Sequence, residues 1–375
     1  MYSQLMFGRM FTDRVRHDAH VAALRQVVRP GSVVADIGAG TGIYSLLACQ
    51  LGARRVFAIE SDPVIAIARD IAADNGFADR ITFVEDLSTE ITLDERADVV
   101  VADLRGTLPL HGRHLPAIAD AVARHLAPGG VLIPRRDRLY AALVSAPALE
   151  KAVFDAWQHN PLGLDMASAA RRSANTVYAY RCDSASLLGE PRCVMEIDYR
   201  SVDDFDLAHR WEAPVRAGTA HAIALWFDAE LVEGVGYCSG PKDARSVATI
   251  YGMAALPLEE PLELRAGDIV EVDLRASLDA DYVWAWSVTH RGRTPLRQSQ
   301  LKGSALTPAS LRRRRAGYVP GPNERLSVAL VALEQLAAGA SLGMAATELR
   351  RRFPDRFPTD TEALTAVARV AAAHA

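Results

Sequence analysis

The sequence predicts an α/β protein: a doubly wound parallel sheet, then an all-β, barrel-like module, then a small helical module. Three observations carry this. From residue 31 to 138, apolar strand-like runs alternate with helical stretches, and the strands end in acids. After Arg138 the pattern changes to short segments of alternating hydrophobicity separated by Gly, Pro and Asp. After the stretch from Gly317 to Pro322, apolar positions recur at helical spacing.

Residues 1 to 30 read as an amphipathic helix, with Asp13, Arg14, Arg16, His17 and Asp18 among apolar positions and Pro30-Gly31 as the stop signal. Val33 to Ile37 is a β-branched run suited to a buried parallel strand. Gly38-Ala39-Gly40-Thr41-Gly42 then turns tightly into a helix over 43–51. A second strand, Arg55 to Ile59, ends in Glu60. Ser61-Asp62-Pro63 is a helix start, with a capping side chain and an early proline, for a helix running to Asn75-Gly76. Ile81 to Val84 is a third strand, followed by Glu85-Asp86. Asp98 to Ala102 is a fourth, ending in Asp103, and Val131 to Pro134 is a fifth.

The β module, residues 139–316, contains strands at Leu139 to Ser145, Cys193 to Tyr199, His221 to Phe227, Val247 to Met253, Ile269 to Ala276 and Tyr282 to Val288. A helical excursion runs from Phe154 to Thr176. Residues 320–375 form the last module, helical or winged-helix-like, or alternatively a helical cap on the barrel surface, with helices at Leu326 to Ala337, Leu342 to Arg352 and Thr361 to Ala373 behind the cap Thr359-Asp360.

The formal charge is −4 over 375 residues, which does not advertise a polyanionic partner or a membrane surface. The run from Arg312 to Arg315 reads as a solvated linker rather than a nucleic-acid contact. No apolar span of signal-peptide or membrane length occurs. Cys49, Cys182, Cys193 and Cys238 form no Cys-x-x-Cys pair and no zinc spacing. A soluble, cytoplasmic protein without a metal is therefore expected.

The glycine loop carries the functional reading. In open sheets of this kind the ligand lies beyond the carboxyl ends of the strands, where Asp36, Glu60, Asp86 and Asp103 all fall. Glu60 is placed to accept hydrogen bonds from both hydroxyls of a ribose. A dinucleotide fingerprint is Gly-x-Gly-x-x-Gly, whereas Gly38, Gly40 and Gly42 give Gly-x-Gly-x-Gly with Asp36 two residues ahead. That spacing favours S-adenosyl-L-methionine; a nicotinamide or flavin dinucleotide, or a purely structural turn, is the alternative. Arg16 on the first helix is suited to grip a ligand carboxylate bidentately.

Over roughly residues 5 to 300 the chain resembles the protein arginine methyltransferases, which are Rossmann-like in their cofactor domain. Met10-Phe11-Thr12-Asp13-Arg14-Val15-Arg16 resembles that family's first helix, and the resemblance implies that Arg16 holds the cofactor carboxylate. Val33 to Gly42 and Gly52 to Glu60 resemble its cofactor motifs. Leu126 to Pro134 resembles the end of its methyltransferase domain, and His221 to Asp228 a strand of its barrel. Gly163-Leu164-Asp165-Met166 resembles the start of its dimerisation arm, which implies a homodimer.

The departures fall on the acceptor site. The family sets two glutamates on the loop after the fourth strand, because a planar cation needs paired carboxylates to stay in line with the methyl. Here the loop runs Asp103-Leu104-Arg105-Gly106-Thr107-Leu108-Pro109-Leu110-His111-Gly112, with Asp103 at the first position and Gly112 at the second. A Thr-His-Trp signature appears as Thr249-Ile250-Tyr251. The expected function is methyl transfer to a peptide or small-molecule acceptor, with Asp103 orienting the nucleophile and His111 or His114 as proton acceptor. Ordinary arginine methylation and a non-catalytic scaffold are the competing readings.

Overall fold

A computed structural model describes residues 4–293, 297–304, 317–319, 321 and 323–374. Arg312 to Arg315 lie outside the described residues, as does part of the stretch from Gly317 to Pro322. The chain divides into two compact units, Met1–Ala305 and Leu306–Ala375.

In the first unit, the single N-terminal helix expected from the sequence is two helices, α1 (Gln4–Thr12) and α2 (Arg14–Val27). Asp13 separates them. Its side chain caps α2 by accepting from the Arg16 N–H, and an N-cap residue is itself non-helical. The parallel sheet follows: β1 (Val33–Ile37), α3 (Ile43–Gln50), β2 (Arg55–Ile59), α4 (Ile65–Asp74), β3 (Ile81–Val84), β4 (Ala97–Ala102), α5 (His114–Arg124) and β5 (Leu126–Ile133). Its strand order is β3-β2-β1-β4-β5. β1 is buried throughout, with Ala35 opposite Phe57 on one side and Val100 on the other. The chain reverses direction across the sheet between β1 and β4, and a ligand crevice opens at the strand ends there. The helix expected from Ser61 begins later, at Ile65. The Asp62 carboxylate accepts from the Val64 N–H at 3.0 Å and holds a turn ahead of it.

The β module expected after Arg138 consists, among the described residues, of two antiparallel sheets. Its strands are β6 (Arg136–Val144), β7 (Tyr178–Tyr180), β8 (Arg192–Asp198), β9 (Leu207–Pro214), β10 (Gly218–Val232), β11 (Val235–Cys238), β12 (Met253–Leu264), β13 (Ile269–Leu278), β14 (Tyr282–His290) and β15 (Gln298–Ser299). One sheet has the order β7-β12-β10-β6-β8 with β11 on β10, and the other β15-β14-β13-β9. The spine is β10, buried without interruption from Ala220 to Phe227. The strand expected from Val247 to Met253 is instead a turn that becomes β12 only at Met253. The Ile250 N–H donates to Asp13 rather than to a ladder, and Gly252 has a φ of +67°. The helical excursion is a pair, α6 (Pro147–Gln158) and α7 (Ala167–Ser173), and Leu162 and Leu164 between them are exposed. The short helix α8 (Gln300–Gly303) closes the unit.

The second unit is α9 (Glu324–Ala337), α10 (Leu342–Arg352) and α11 (Asp360–His374). Asn323 and Ser341 cap the first two. Thr359 and Glu362 cap the third reciprocally, each side chain accepting from the other's backbone N–H. Val328, Val331, Ala345, Leu349 and Val367 form a core of the unit's own.

Candidate active site

At the carboxyl ends of β1 to β4 lies a cavity of about 970 Å³. Its floor is the glycine loop. Gly38, Gly40 and Gly42 have φ of +72°, +55° and +77°, values an L side chain adopts only under strain, and an added Cβ on Gly38 would lie 2.4 Å from Leu104 Cδ2. The loop thus combines left-handed turns with close packing.

Of the sequence-predicted residues at the β1–β3 side, Asp36, Gly38, Gly40, Glu60 and Asp86 line this cavity, whereas Gly42 packs against Ala68 and does not. Glu60 accepts from the Gly40 N–H at 3.0 Å through Oε2 and from the Asp62 N–H at 2.9 Å through Oε1, so it braces the loop while each oxygen keeps a second lone pair. Asp36 is buried and engaged within the chain: its Oδ2 accepts from the Ser45 N–H at 2.9 Å and the Ser45 hydroxyl at 2.7 Å, fixing the first turn of α3. Burial pushes its carboxyl up to about 6. Asp86 is exposed on the cavity wall and accepts from the Leu87 N–H. The loop that carries it is tied to α5 by Arg124, which donates to the carbonyls of Ser88 and Ile91 at 2.8 and 2.5 Å.

The β4 end is a closed ionic network. Asp103 Oδ2 accepts from Arg16 Nε and Nη2 at 2.9 and 2.6 Å and from the Tyr251 hydroxyl at 2.6 Å. Its Oδ1 accepts from Arg105 Nη1 at 2.9 Å. Arg105 is fully buried and grips the equally buried Asp137 bidentately at 2.6 and 2.8 Å. Tyr199 donates to Asp137 at 2.6 Å, and His114 Nε2 lies 3.0 Å from the Tyr199 hydroxyl. Two arginines and two aspartates cancel, which is how four charges tolerate burial. Burial pushes the Asp103 carboxyl up, but Arg16 and Arg105 outweigh it and hold it well below the usual carboxylate range.

Sequence reasoning placed Asp103 here but not its partners. Arg105, Asp137, Tyr199, Tyr237 and Tyr251 come from different elements; Arg105, two residues from Asp103, and Tyr251, in the altered Thr249-Ile250-Tyr251 signature, were in view, but neither as a partner of Asp103. Tyr237 and Tyr251 stack with ring centres 5.7 Å apart and hydroxyls 3.0 Å apart. His114, expected on the loop as a proton acceptor, is the first residue of α5 and only 3% exposed. Burial and then Arg105 lower its imidazole to about 3, so it stays neutral at physiological pH. His20, above Asp103 and stacked on Tyr44 at 4.5 Å, is lowered to about 3 by its burial, which outweighs the upward pull of Asp103. His111 is exposed on the cavity wall, with its ring against Gly106. Gly112 has a φ of +49° and donates to Asp281 at 2.6 Å. Among the described residues no group of His, Cys, Asp or Glu is arranged to hold a metal.

Comparisons with known proteins agree with this architecture. Residues 18–134 match the family model described as ribosomal protein L11 methyltransferase. The chain is 30% identical over 253 residues to probable protein arginine N-methyltransferase 6 of Arabidopsis thaliana, covering 64% of this chain and 57% of that protein. It is 24% identical over 270 residues to protein arginine N-methyltransferase 1 of Dictyostelium discoideum, covering 70% and 78%. The chain thus spans little more than half the length of the Arabidopsis relative, and 46% of rice proteins described as probable histone-arginine methyltransferases. Among solved structures, the Trypanosoma brucei PRMT1 enzyme-prozyme heterotetrameric complex with AdoHcy aligns with a TM-score of 0.72 at 23% identity, covering 78% of this chain and 96% of that one. Arabidopsis thaliana protein arginine methyltransferase 10 aligns at 0.67 and 19%, covering 79% and 97%. In fold and in sequence similarity, the chain is protein arginine methyltransferase-like.

Proposed function

We propose that the protein is an S-adenosyl-L-methionine-dependent methyltransferase whose acceptor, a peptide or small molecule, is not a guanidinium. The observation that carries the second half is the saturation of Asp103. The family's clamp needs two carboxylates free to receive a planar cation. Here one position is Gly112, and both oxygens of the other are taken by Arg16, Arg105 and Tyr251.

The cofactor half fits its ligand. The glycine loop, the second lone pairs of Glu60 and the exposed Asp86 suit a nucleoside across the β1–β3 ends, with Asp36 bracing the loop from beneath. Arg16 presents Nη1, which has no hydrogen bond among the described residues, for a carboxylate. The Tyr44 hydroxyl on the same wall is buried and unpartnered, a polar atom that a bound zwitterion would satisfy. When bound, S-adenosyl-L-methionine supplies an activated methyl on sulfur. The chain's part is alignment and exclusion of water.

Sequence similarity to named arginine methyltransferases favours a second reading, arginine methylation with a rearranged clamp. A homodimer belongs to the proposal, supported by exposed Leu162 and Leu164 on the arm-like segment. So does a reducing cytoplasmic setting, supported by four free cysteines. The test is formation of S-adenosylhomocysteine from S-adenosyl-L-methionine with peptides bearing arginine, hydroxyl or carboxylate groups. Turnover with arginine alone would select the second reading.

A further inference from the structure

On its wall, the acceptor end of the cavity has one arginine to spare and, among the described residues, no carboxylate to spare. Asp103 is neutralised by Arg16, and Arg105 by Asp137. Beyond them the wall carries Arg113, exposed and with no side-chain hydrogen bond or ion pair among the described residues, together with His17 and His111, whose rings make no hydrogen bond among those residues. The acids Asp36, Glu60, Asp62, Asp86 and Glu90 on the wall belong to the end of β1 and to the loops after β2 and β3. The neighbouring turn between β13 and β14 adds Asp281, whose Oδ1 already accepts from the Gly112 and Tyr282 N–H groups. A cationic acceptor would approach this end against Arg113 and find no free carboxylate on the wall, only the exposed Asp281 beyond it.

From this cluster, and resting on the methyltransferase reading above, we propose that the acceptor group is a carboxylate, drawn in by Arg113 with His17 and His111 and methylated on oxygen. Guanidinium and ammonium groups must lose a proton to become nucleophiles, and a hydroxyl needs a base. A carboxylate needs neither. Its oxygen bonds to the methyl carbon as that carbon's bond to sulfur breaks, the bonding pair stays on sulfur, and the products are a methyl ester and S-adenosylhomocysteine with no proton to place. The surroundings match that balance: Asp103 is locked in ion pairs, and His20 and His114 are buried and neutral. Arg113 can donate a charge-assisted pair of hydrogen bonds to the acceptor, or to a second carboxylate beside it.

The probe is a degenerate short-peptide pool rich in Asp and Glu, compared with the same pool amidated on its carboxyl groups and with an arginine-rich peptide. Binding of each to the full chain saturated with S-adenosylhomocysteine is measured by calorimetry, and methyl gain by mass spectrometry before and after mild alkali. The expected result is binding of the acidic pool only, weakened by salt, and a methyl that alkali releases as methanol. Arg113→Glu should weaken binding of the acidic pool by about tenfold or more while S-adenosylhomocysteine affinity and Tm hold, and Arg113→Lys should recover part of the loss. An alkali-stable methyl, absence of binding by the acidic pool, or an Arg113→Glu variant that binds it as the unmodified protein does would overturn the proposal. Failure to bind S-adenosylhomocysteine would remove the methyltransferase reading itself, and this proposal with it.

Discussion

Asp103→Asn separates an internal network from a substrate clamp through stability alone. The carboxylate accepts four hydrogen bonds, three on Oδ2 from Arg16 and Tyr251 and one on Oδ1 from Arg105. Asparagine keeps a carbonyl for one side but turns an amide donor toward the other. If the carbonyl serves Arg16, the amide meets Arg105 Nη1 donor to donor. The substitution also leaves two arginines against Asp137 alone in a region where Arg105 and Asp137 have no solvent contact. Removing one partner of a buried pair typically costs about 3–5 kcal/mol. For a unit of this size that corresponds to a fall of roughly 5–8 °C in Tm. The assay is thermal unfolding without ligand, at neutral pH. An unengaged clamp predicts the opposite, since a carboxylate waiting for substrate contributes little to stability or opposes it. A Tm within about 1 °C of the unmodified protein would refute the network. Arg105→Met should destabilise similarly, and the double variant by less than the sum, because both changes break one network.

Glu60→Ala and Arg16→Ala should each weaken S-adenosyl-L-methionine binding by roughly 1.5–3 kcal/mol, the worth of a charged hydrogen-bond partner, read by calorimetric titration. Wild-type affinity in both would remove their assignment. Asp36, buried and raised to about 6, holds its proton more tightly in the fold than in the unfolded chain, so its contribution to stability falls as pH rises from about 4 to about 6 and is flat above. Asp36→Asn should remove that slope, worth about 3 kcal/mol, in unfolding followed across the same pH range. A chain ending at residue 316 should remain folded and bind the cofactor unchanged, because the helices after it carry their own core. Insoluble product or lost binding would make them part of the first unit's stability instead.

The legible parts of the molecule are those whose determinants are local. The β1 strand, its glycine loop and Glu60 announce themselves because a buried strand, left-handed turns and a strand-end acid each need particular residues within a short stretch. The three C-terminal helices were legible for the same reason, down to the Thr359 cap. The β4 end was legible only as a pair of absences from the pattern it resembles. The network found there is built from Arg105 with Asp137, from Tyr251 reaching Asp103 across the β module, and from Tyr199 bridging to His114, and none of those pairings has a periodicity or spacing to betray it. The misread strand at Val247 to Met253 has the same origin. Its residues alternate as a strand does, but Asp13, distant in sequence, takes the backbone N–H of Ile250.

The central claim is that this acceptor site does not hold a guanidinium, and methylation of an arginine-rich peptide by the unmodified protein tests it most directly. A single aspartate already bound to two arginines gives no control over the plane of an incoming guanidinium, and a misplacement of about 1 Å costs on the order of a hundredfold in rate. With S-adenosyl-L-methionine present and peptide mass followed over time, no methyl gain above an enzyme-free control is predicted. The same result is expected for Gly112→Glu, since Ile250 and Tyr251 have changed the facing wall as well. Robust formation of mono- or dimethylarginine by the unmodified protein would contradict the account and restore the family's ordinary chemistry.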